Sequence, residues 1–265
     1  MAKKRVLMTG ASGLISSMVL RELGNKYDFS AINRRPVEGI PTIQASVADR
    51  EAIEPAFEGI DTVVHLAAYT DDIFEWEGIK EVNIGGTYNV YELSRRHSVK
   101  RIVFASTGGI MLGYEKDFPY GELTAGEYDK VGDTLPMLTH DMPVRPDNVF
   151  YVSKIFGEAL GRYYSDYHGV SVLNIRLGGV FPDDKPKLRR HLPGYLSHAD
   201  CVQMVQKCID APADVMFGTF DTISDNKYRW RDTSAATEVL GWKKQGSAED
   251  YPMTDPGGRH QLGLG

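Results

Sequence analysis

Two cysteines, no long apolar run, no surplus of positive charge and no paired metal-ligand spacing are the first features of this 265-residue sequence. Cys201 and Cys208 stand seven positions apart on a predicted helix. That is about 10 Å at the helical rise, too far for a disulfide, so a reducing compartment fits and both read as packing residues. The histidines at 65, 97, 140, 168, 191, 198 and 260 show no ligand-pair spacing, and no metal site is expected. With 30 Lys and Arg against 36 Asp and Glu, the formal charge is −6. No global positive field exists to recruit phosphate backbones, which argues against a nucleic-acid or anionic-membrane partner. No run approaches membrane-spanning length, and Met-Ala-Lys-Lys-Arg leads into a first strand without a secretory apolar region, so a cytoplasmic location is expected. Neither an internal repeat nor a separating linker is present. At 42% hydrophobic and 25% charged, the composition is that of a folded globular chain.

What is there begins with Arg5-Val-Leu-Met-Thr-Gly-Ala-Ser-Gly-Leu-Ile-Ser-Ser-Met-Val-Leu20. Val6 to Met8 form an apolar run of the buried-strand kind, Gly10 and Gly13 break it, and Leu14, Met18 and Leu20 resume at helical spacing. Strand, glycine turn and helix in that order aim unpaired N–H groups and a positive dipole end at one point, a site for a pyrophosphate. Gly10 and Gly13 supply the tight turn and close approach, while Ser16 stands where the usual fingerprint has its third glycine. Phe29 to Asn33 reads as the second strand. Its end lies about 20 residues past Gly13, where an acid would bind a ribose 2′-hydroxyl. Asn33-Arg34-Arg35 stands there instead, and two guanidiniums able to bond a 2′-phosphate favour NADP over NAD, with a solvated loop as the alternative.

Thr42 to Val47 reads as a third strand, with Ser46 and Val47 near the adenine, and Ala48 to Phe57 as a short helix. Thr62 to Ala68 is an apolar strand whose C-terminal end faces the ligand side. His65 within it reads as a satisfied core residue rather than a catalytic one. Tyr69 to Gly78 suits a loop over a pocket. Glu81 to His97 is expected as one long helix, Arg101 to Thr107 as a buried strand, and Gly108 to Gly113 as a flexible apex. Residues 114 to 146 lack periodicity and read as a lid or an interaction loop, the choice left open. Asn148 to Tyr167 reads as helix, Ser171 to Leu177 as strand, and 178 to 196 as a loop carrying Arg189 and Arg190. A helix capped by Ser197 follows, then a strand over Val215 to Ile223, a helix over Thr233 to Leu240, and a mobile tail from Asp255. The alternation predicts an α/β fold, a doubly wound parallel sheet: residues 1–177 form the dinucleotide-binding domain, and 178–265 a small C-terminal substrate cap packed with it as one unit.

Thr9-Gly-Ala-Ser-Gly13, His65-Leu-Ala-Ala68, Asn83-Ile-Gly-Gly-Thr87, Phe104-Ala-Ser-Thr107, Leu138-Thr-His-Asp-Met-Pro-Val-Arg-Pro146 and Tyr151-Val-Ser-Lys154 with Phe156-Gly-Glu158 resemble, in order, the extended short-chain dehydrogenase/reductases, also called NAD-dependent epimerases/dehydratases. Tyr195-Leu-Ser-His-Ala-Asp200 and Leu240-Gly-Trp-Lys243 look most like the uronate dehydrogenase branch, which oxidises the anomeric carbon of a hexuronic acid to a lactone. The resemblance implies a Rossmann sheet and a nicotinamide cofactor held by Gly10, Ser12, Gly13, Leu14, Ile15, Asn33, Arg34, Arg35, Ser46, Val47, Leu66, Ala67, Ala68, Asn83 and Lys154. It further implies a small sugar or uronate substrate at Thr70, Thr107, Gly108, Gly179 and Arg190, with Arg189 the fallback for the carboxylate grip. The basic loop of Lys185, Lys187, Arg189 and Arg190 reads equally well as a solvated face. A homo-oligomer is compatible with the sequence.

In that family a tyrosine removes the hydroxyl proton, a lysine four residues on lowers its pKa and holds the ribose, and a Ser or Thr ending the preceding strand orients the oxygen. Lys154 and Thr107 match, but the tyrosine position is Phe150. Tyr151 lies one residue late, about 100° around the helix, and does not replace it. The retention of every other part favours a substitution made to hold ligand without turnover over a natural member that binds but does not catalyse. Gly108-Gly109 also departs from the uronate branch, which has a polar Asn-His pair there, and points to a related aldose, uronate or hydroxy-acid. A nucleotide-sugar epimerase or dehydratase is disfavoured by the short chain after the sheet. The remaining reading is a non-catalytic NADP-binding sensor.

Overall fold

The computed structural model describes residues 2–132 and 134–258. Among them the apolar runs form seven strands: β1 (Arg5–Thr9), β2 (Asp28–Asn33), β3 (Thr42–Gln44), β4 (Thr62–His65), β5 (Arg101–Thr107), β6 (Ser171–Leu177) and β7 (Phe217–Thr222). They make one sheet in the order β3-β2-β1-β4-β5-β6-β7. The pairs β1–β2, β1–β4, β2–β3 and β4–β5 are parallel, with Val6 beside both Phe29 and Thr62. Parallel strands are covered on both faces, and β1, β4 and β5 are accordingly buried almost end to end. This is the doubly wound Rossmann sheet. Its strand order reverses between β1 and β4, the place where such sheets bind ligands.

The helices are α1 (Leu14–Leu23), α2 (Arg50–Ile53), α3 (Trp76–Gly78), α4 (Thr87–Arg96), α5 (Tyr120–Ala125), α6 (Val149–His168), α7 (His198–Asp210) and α8 (Ser234–Leu240). Asn148 caps α6 by accepting from the Tyr151 N–H at 3.0 Å, and Ser197 caps α7 by accepting from the Asp200 N–H at 3.2 Å. These two helices, the longest in the chain's described residues, thus begin on a side chain that satisfies an otherwise orphaned donor. Cys201 and Cys208 on α7 are free and buried. No helix of the described residues is long and apolar enough to cross a membrane.

Several local expectations give way to detail. The third strand ends at Gln44, and the predicted helix over 48–57 splits into α2 and a 3-10 turn over Glu54–Phe57, because Pro55 has no N–H for a helical bond. The single helix expected over 81–97 starts earlier and carries a π-helical stretch, Ile79–Gly86, between α3 and α4. The expected apex at Gly108 is a 3-10 segment, Gly108–Lys116, and the 114–146 stretch contains α5 and a turn at Tyr128–Lys130. These pieces are too short to show a 3.6-residue stripe. The tail expected to be mobile is docked over its first residues. The Asp255 carboxylate accepts from the Arg189 N–H at 2.8 Å, and the Gly258 N–H bonds Ala125 O at 2.9 Å. The rest of that expectation, with His260, lies outside the described residues.

The chain gathers into two compact units that interleave in sequence. The first takes the chain up to Ser106, with Asn148–Ile175 and Val205–Thr219. Its core joins Leu7, Ile32, Val63, Tyr91, Phe104 and Val172. The second takes Thr107–Asp147, Arg176–Met204 and the chain from Phe220 onward. Leu192, Tyr195 and Ala248 form an apolar cluster there, with Phe181 and Tyr251 against it.

Candidate functional site

In the first unit the glycine turn is built as its spacing requires. Gly10 has φ +70°, and a Cβ on it would lie 2.8 Å from both N and Cα of Ala67, so the turn presses against the chain leaving β4. The Gly10 N–H bonds Ile32 O and the Gly13 N–H bonds Gly10 O, each at 3.0 Å. Ser16 is buried, and its hydroxyl donates to Gly10 O at 2.8 Å, so this small residue ties the helix to the turn. Helix α1 starts at Gly13 with no side-chain cap and no acid in its first turn, and Ser12, Gly13 and Leu14 are exposed. An uncapped, unneutralised helix start beside a cradle that a Cβ would fill fits a diphosphate. Ile15 is half-buried one residue further in.

At the end of β2, Asn33 Oδ1 accepts from Ser12 Oγ at 3.3 Å and Asn33 Nδ2 donates to Arg35 O at 2.7 Å. This carboxamide links the glycine turn to the arginine loop. Arg34 and Arg35 are exposed, with no carboxylate in ion-pair range among the described residues. Ser46 accepts from the Ala48 N–H at 3.2 Å, and Val47 is buried against Gly86.

His65 is a core residue, as its place in an apolar run implied. Its Nδ1 lies 2.7 Å from Thr9 Oγ1 and its Nε2 3.0 Å from Thr87 Oγ1, and Thr9 Oγ1 also accepts from the Ala67 N–H at 3.1 Å. Burial first, then the nearby Lys154 charge, lower its pKa to about 3, so the ring is neutral and bridges β1, β4 and α4. Sequence reasoning did not single out Thr9 and Thr87. A histidine inside an apolar run was the available signal, since both ring nitrogens need partners. Leu66, Ala67 and Ala68 follow, half-buried, and Thr70 is exposed. Asn83, in the π-helical stretch, accepts from the Tyr69 N–H at 2.7 Å and donates to Ser153 Oγ at 3.2 Å. It thereby fixes the strand exit against α6, a use of widened helix common at functional sites.

On α6 the Ser153 hydroxyl donates to Phe150 O at 2.6 Å. Lys154 is buried, and its Nζ lies 5.1 Å from the Phe104 ring centre and 5.6 Å from that of Phe150. No carboxylate pairs with it among the described residues, and burial lowers its pKa to about 8. Phe150 and Lys154 share a helix face, as the four-residue spacing requires. Phe150 and Tyr151 meet edge to face, with centroids 5.7 Å apart.

In the second unit, Thr107 Oγ1 accepts from the Gly109 N–H at 3.0 Å and caps the 3-10 segment, and Gly108 is buried. The Gly179 N–H bonds Gly194 O at 2.8 Å and its carbonyl takes the Leu196 N–H at 3.0 Å, which anchors the loop that carries the arginines. Arg189 Nε donates to Asp255 O at 3.0 Å. Arg190 Nη2 stands 3.9 Å from Glu115 Oε2. Glu115, which no local pattern marks, also accepts from Thr124 Oγ1 at 3.2 Å. Its burial raises its pKa to about 7 against the opposing pull of Arg190.

The profile of the NAD dependent epimerase/dehydratase family matches residues 6–208. Over 249 residues the chain is 34% identical to an L-arabinose 1-dehydrogenase (NAD(P)(+)) of Haloferax volcanii, covering 90% of this chain and 95% of that one. It is 33% identical to a uronate dehydrogenase of Agrobacterium fabrum, covering 94% and 87%. A solved structure of a mutant uronate dehydrogenase from Agrobacterium tumefaciens complexed with NAD superposes with a TM-score of 0.79 at 31% identity, covering 96% and 92% of the two chains.

Proposed function

The chain belongs to the NAD dependent epimerase/dehydratase family, and from that premise we propose that it is an NAD(P)-linked oxidoreductase of a monosaccharide or uronic acid. NADP is the preferred nucleotide, and Phe150 leaves this form impaired. The observation that carries the reading is the Phe150–Lys154 pair: a buried ammonium, with no carboxylate partner among the described residues, 5.6 Å from a ring that lacks only the hydroxyl of an acid–base group. The relatives' activities toward L-arabinose and uronates support the substrate class. Arg34 and Arg35, exposed and without an ion-pair partner among the described residues, support NADP.

When bound, the nicotinamide supplies the hydride acceptor. The glycine turn and the start of α1 hold the diphosphate, and Asn33 sets the arginine loop beside it. The Thr107 hydroxyl accepts from Gly109 and keeps its own proton to give to a sugar oxygen. Lys154, charged below about pH 8, holds ribose hydroxyls and would favour an ionised phenol at position 150. Phe150 can take no proton, so oxidation of a sugar hydroxyl lacks its base. Phe150→Tyr should raise NADP-linked oxidation by ~10²–10⁴-fold in a substrate screen. Inactivity of that variant on a broad panel of sugars counts against the enzyme.

Phe150 itself favours a second reading, a non-catalytic NADP-binding protein. Tight NADPH binding without turnover, persisting in Phe150→Tyr, selects it.

A further inference from the structure

Within the second unit, a Cβ built on Gly108 would fall inside the Arg231 guanidinium, overlapping Nη1, Cζ and Nη2. Arg231 is 5% exposed. Its backbone is set by a bridge to Leu138, whose N–H bonds Trp230 O at 2.8 Å and whose carbonyl takes the Asp232 N–H at 2.9 Å. Its Nη1 donates to Asp221 Oδ1 at 2.9 Å. Nε and Nη2 find no acceptor among the described residues, and neither is a fully buried unsatisfied atom, so both donors remain open to a ligand. Asp221 also faces Arg176, whose Nη1 is 3.7 Å from Oδ2, so the carboxylate does not neutralise Arg231 alone. Glu115 is within electrostatic reach of Arg231 and is only partly ionised near neutral pH.

Thr107 adjoins Gly108 in the chain. A side chain at 108 would extend where this guanidinium now lies, so the residue that reads the substrate beside Thr107 comes from position 231 instead. Planar N–H donors with no acceptor suit a carboxylate or phosphate better than a lone hydroxyl. We propose that Arg231 is the specificity-determining residue of this site, admitted by Gly108, and that it selects a monosaccharide bearing an anionic group. The inference rests on the oxidoreductase reading above and deepens it.

The test uses the full chain with NADP. Sugar binding is measured by calorimetry, and turnover in the Phe150→Tyr background. The probes are D-glucuronate for the carboxylate, glucose 6-phosphate for the phosphate, and D-glucose and L-arabinose as neutral aldoses. One anionic sugar should exceed the neutral ones at least tenfold in affinity and in kcat/KM, and which of the two leads assigns the anion. Arg231→Gln should lower the anionic-to-neutral ratio at least tenfold. Gly108→Ala keeps every charge but displaces the guanidinium, and should lower the ratio in the same direction. It decides the matter if Arg231→Gln does not fold. Neutral sugars handled as well as anionic ones, or a ratio unmoved by these substitutions, overturns the role of Arg231 and leaves the oxidoreductase standing. NADP binding with no sugar bound or oxidised overturns both.

Discussion

The two units hold their functional parts by different means. In the first, the glycine turn proposed to hold a nucleotide is made of main chain: Gly10 and Gly13 N–H groups, a helix start without a cap, and a close pass by Ala67. In the second, buried carboxylates organise loops from distant parts of the chain. Asp200 accepts from Ser224 Oγ at 2.6 Å, the Gln245 N–H at 2.8 Å and the Gly246 N–H at 3.1 Å. Asp221 holds Arg231, and Glu115 faces Arg190. A main-chain device tolerates exchange of most side chains around it, whereas a carboxylate hub depends on one residue.

That contrast can be broken most directly at Asp200. Asp200→Ala orphans three donors and should destabilise the protein by about 3 kcal/mol, seen as a lower midpoint in urea unfolding. NADP titration under native conditions should be unaltered, because the turn lies in the other unit. A parallel loss of nucleotide affinity would erase the distinction.

A smaller effect should appear at Lys154, a buried charge of the first unit that no carboxylate among the described residues offsets. Its folded pKa, about 8, is below the ordinary value of 10.5, so between the two the unfolded chain binds the proton that the folded one has released. Stability from this group therefore rises with pH across that window, and below about pH 8 its penalty is full and constant. Relative to Lys154→Met, the unfolding free energy should climb by about 2 kcal/mol from pH 8 to 9.5. A flat difference would mean that the ammonium is solvated.

The smallest predicted change sharpens the nucleotide assignment. Arg34→Ala and Arg35→Ala together should weaken NADP about tenfold, roughly 1.4 kcal/mol, with little change for NAD. Equal losses for both nucleotides would make the pair a general electrostatic surface.

Much of the first unit was legible because its signals are local. Val6 to Met8, Gly10 and Gly13 lie within one strand and turn, and the Phe150–Lys154 spacing lies on one helix. The π-helical stretch at Ile79–Gly86 was not, since its register shift depends on Asn83 reaching Tyr69 and Ser153. The second unit's hubs were hidden for the same reason at longer range: nothing near Asp200 in the chain announces Ser224 or Gly246.

By itself, then, the sequence determined the strand and helix alternation, the glycine turn after the first strand and the placing of Phe150 one helical turn before Lys154, because hydrophobic period, glycine placement and i, i+4 geometry are properties of neighbouring residues. Only the tertiary structure decided that Thr9 and Thr87 satisfy His65, that Asp200 gathers three distant donors, and that Arg231 fills the space over Gly108. Those outcomes depend on which remote segments the fold brings within hydrogen-bond reach, and a burial cost is met only once that has happened.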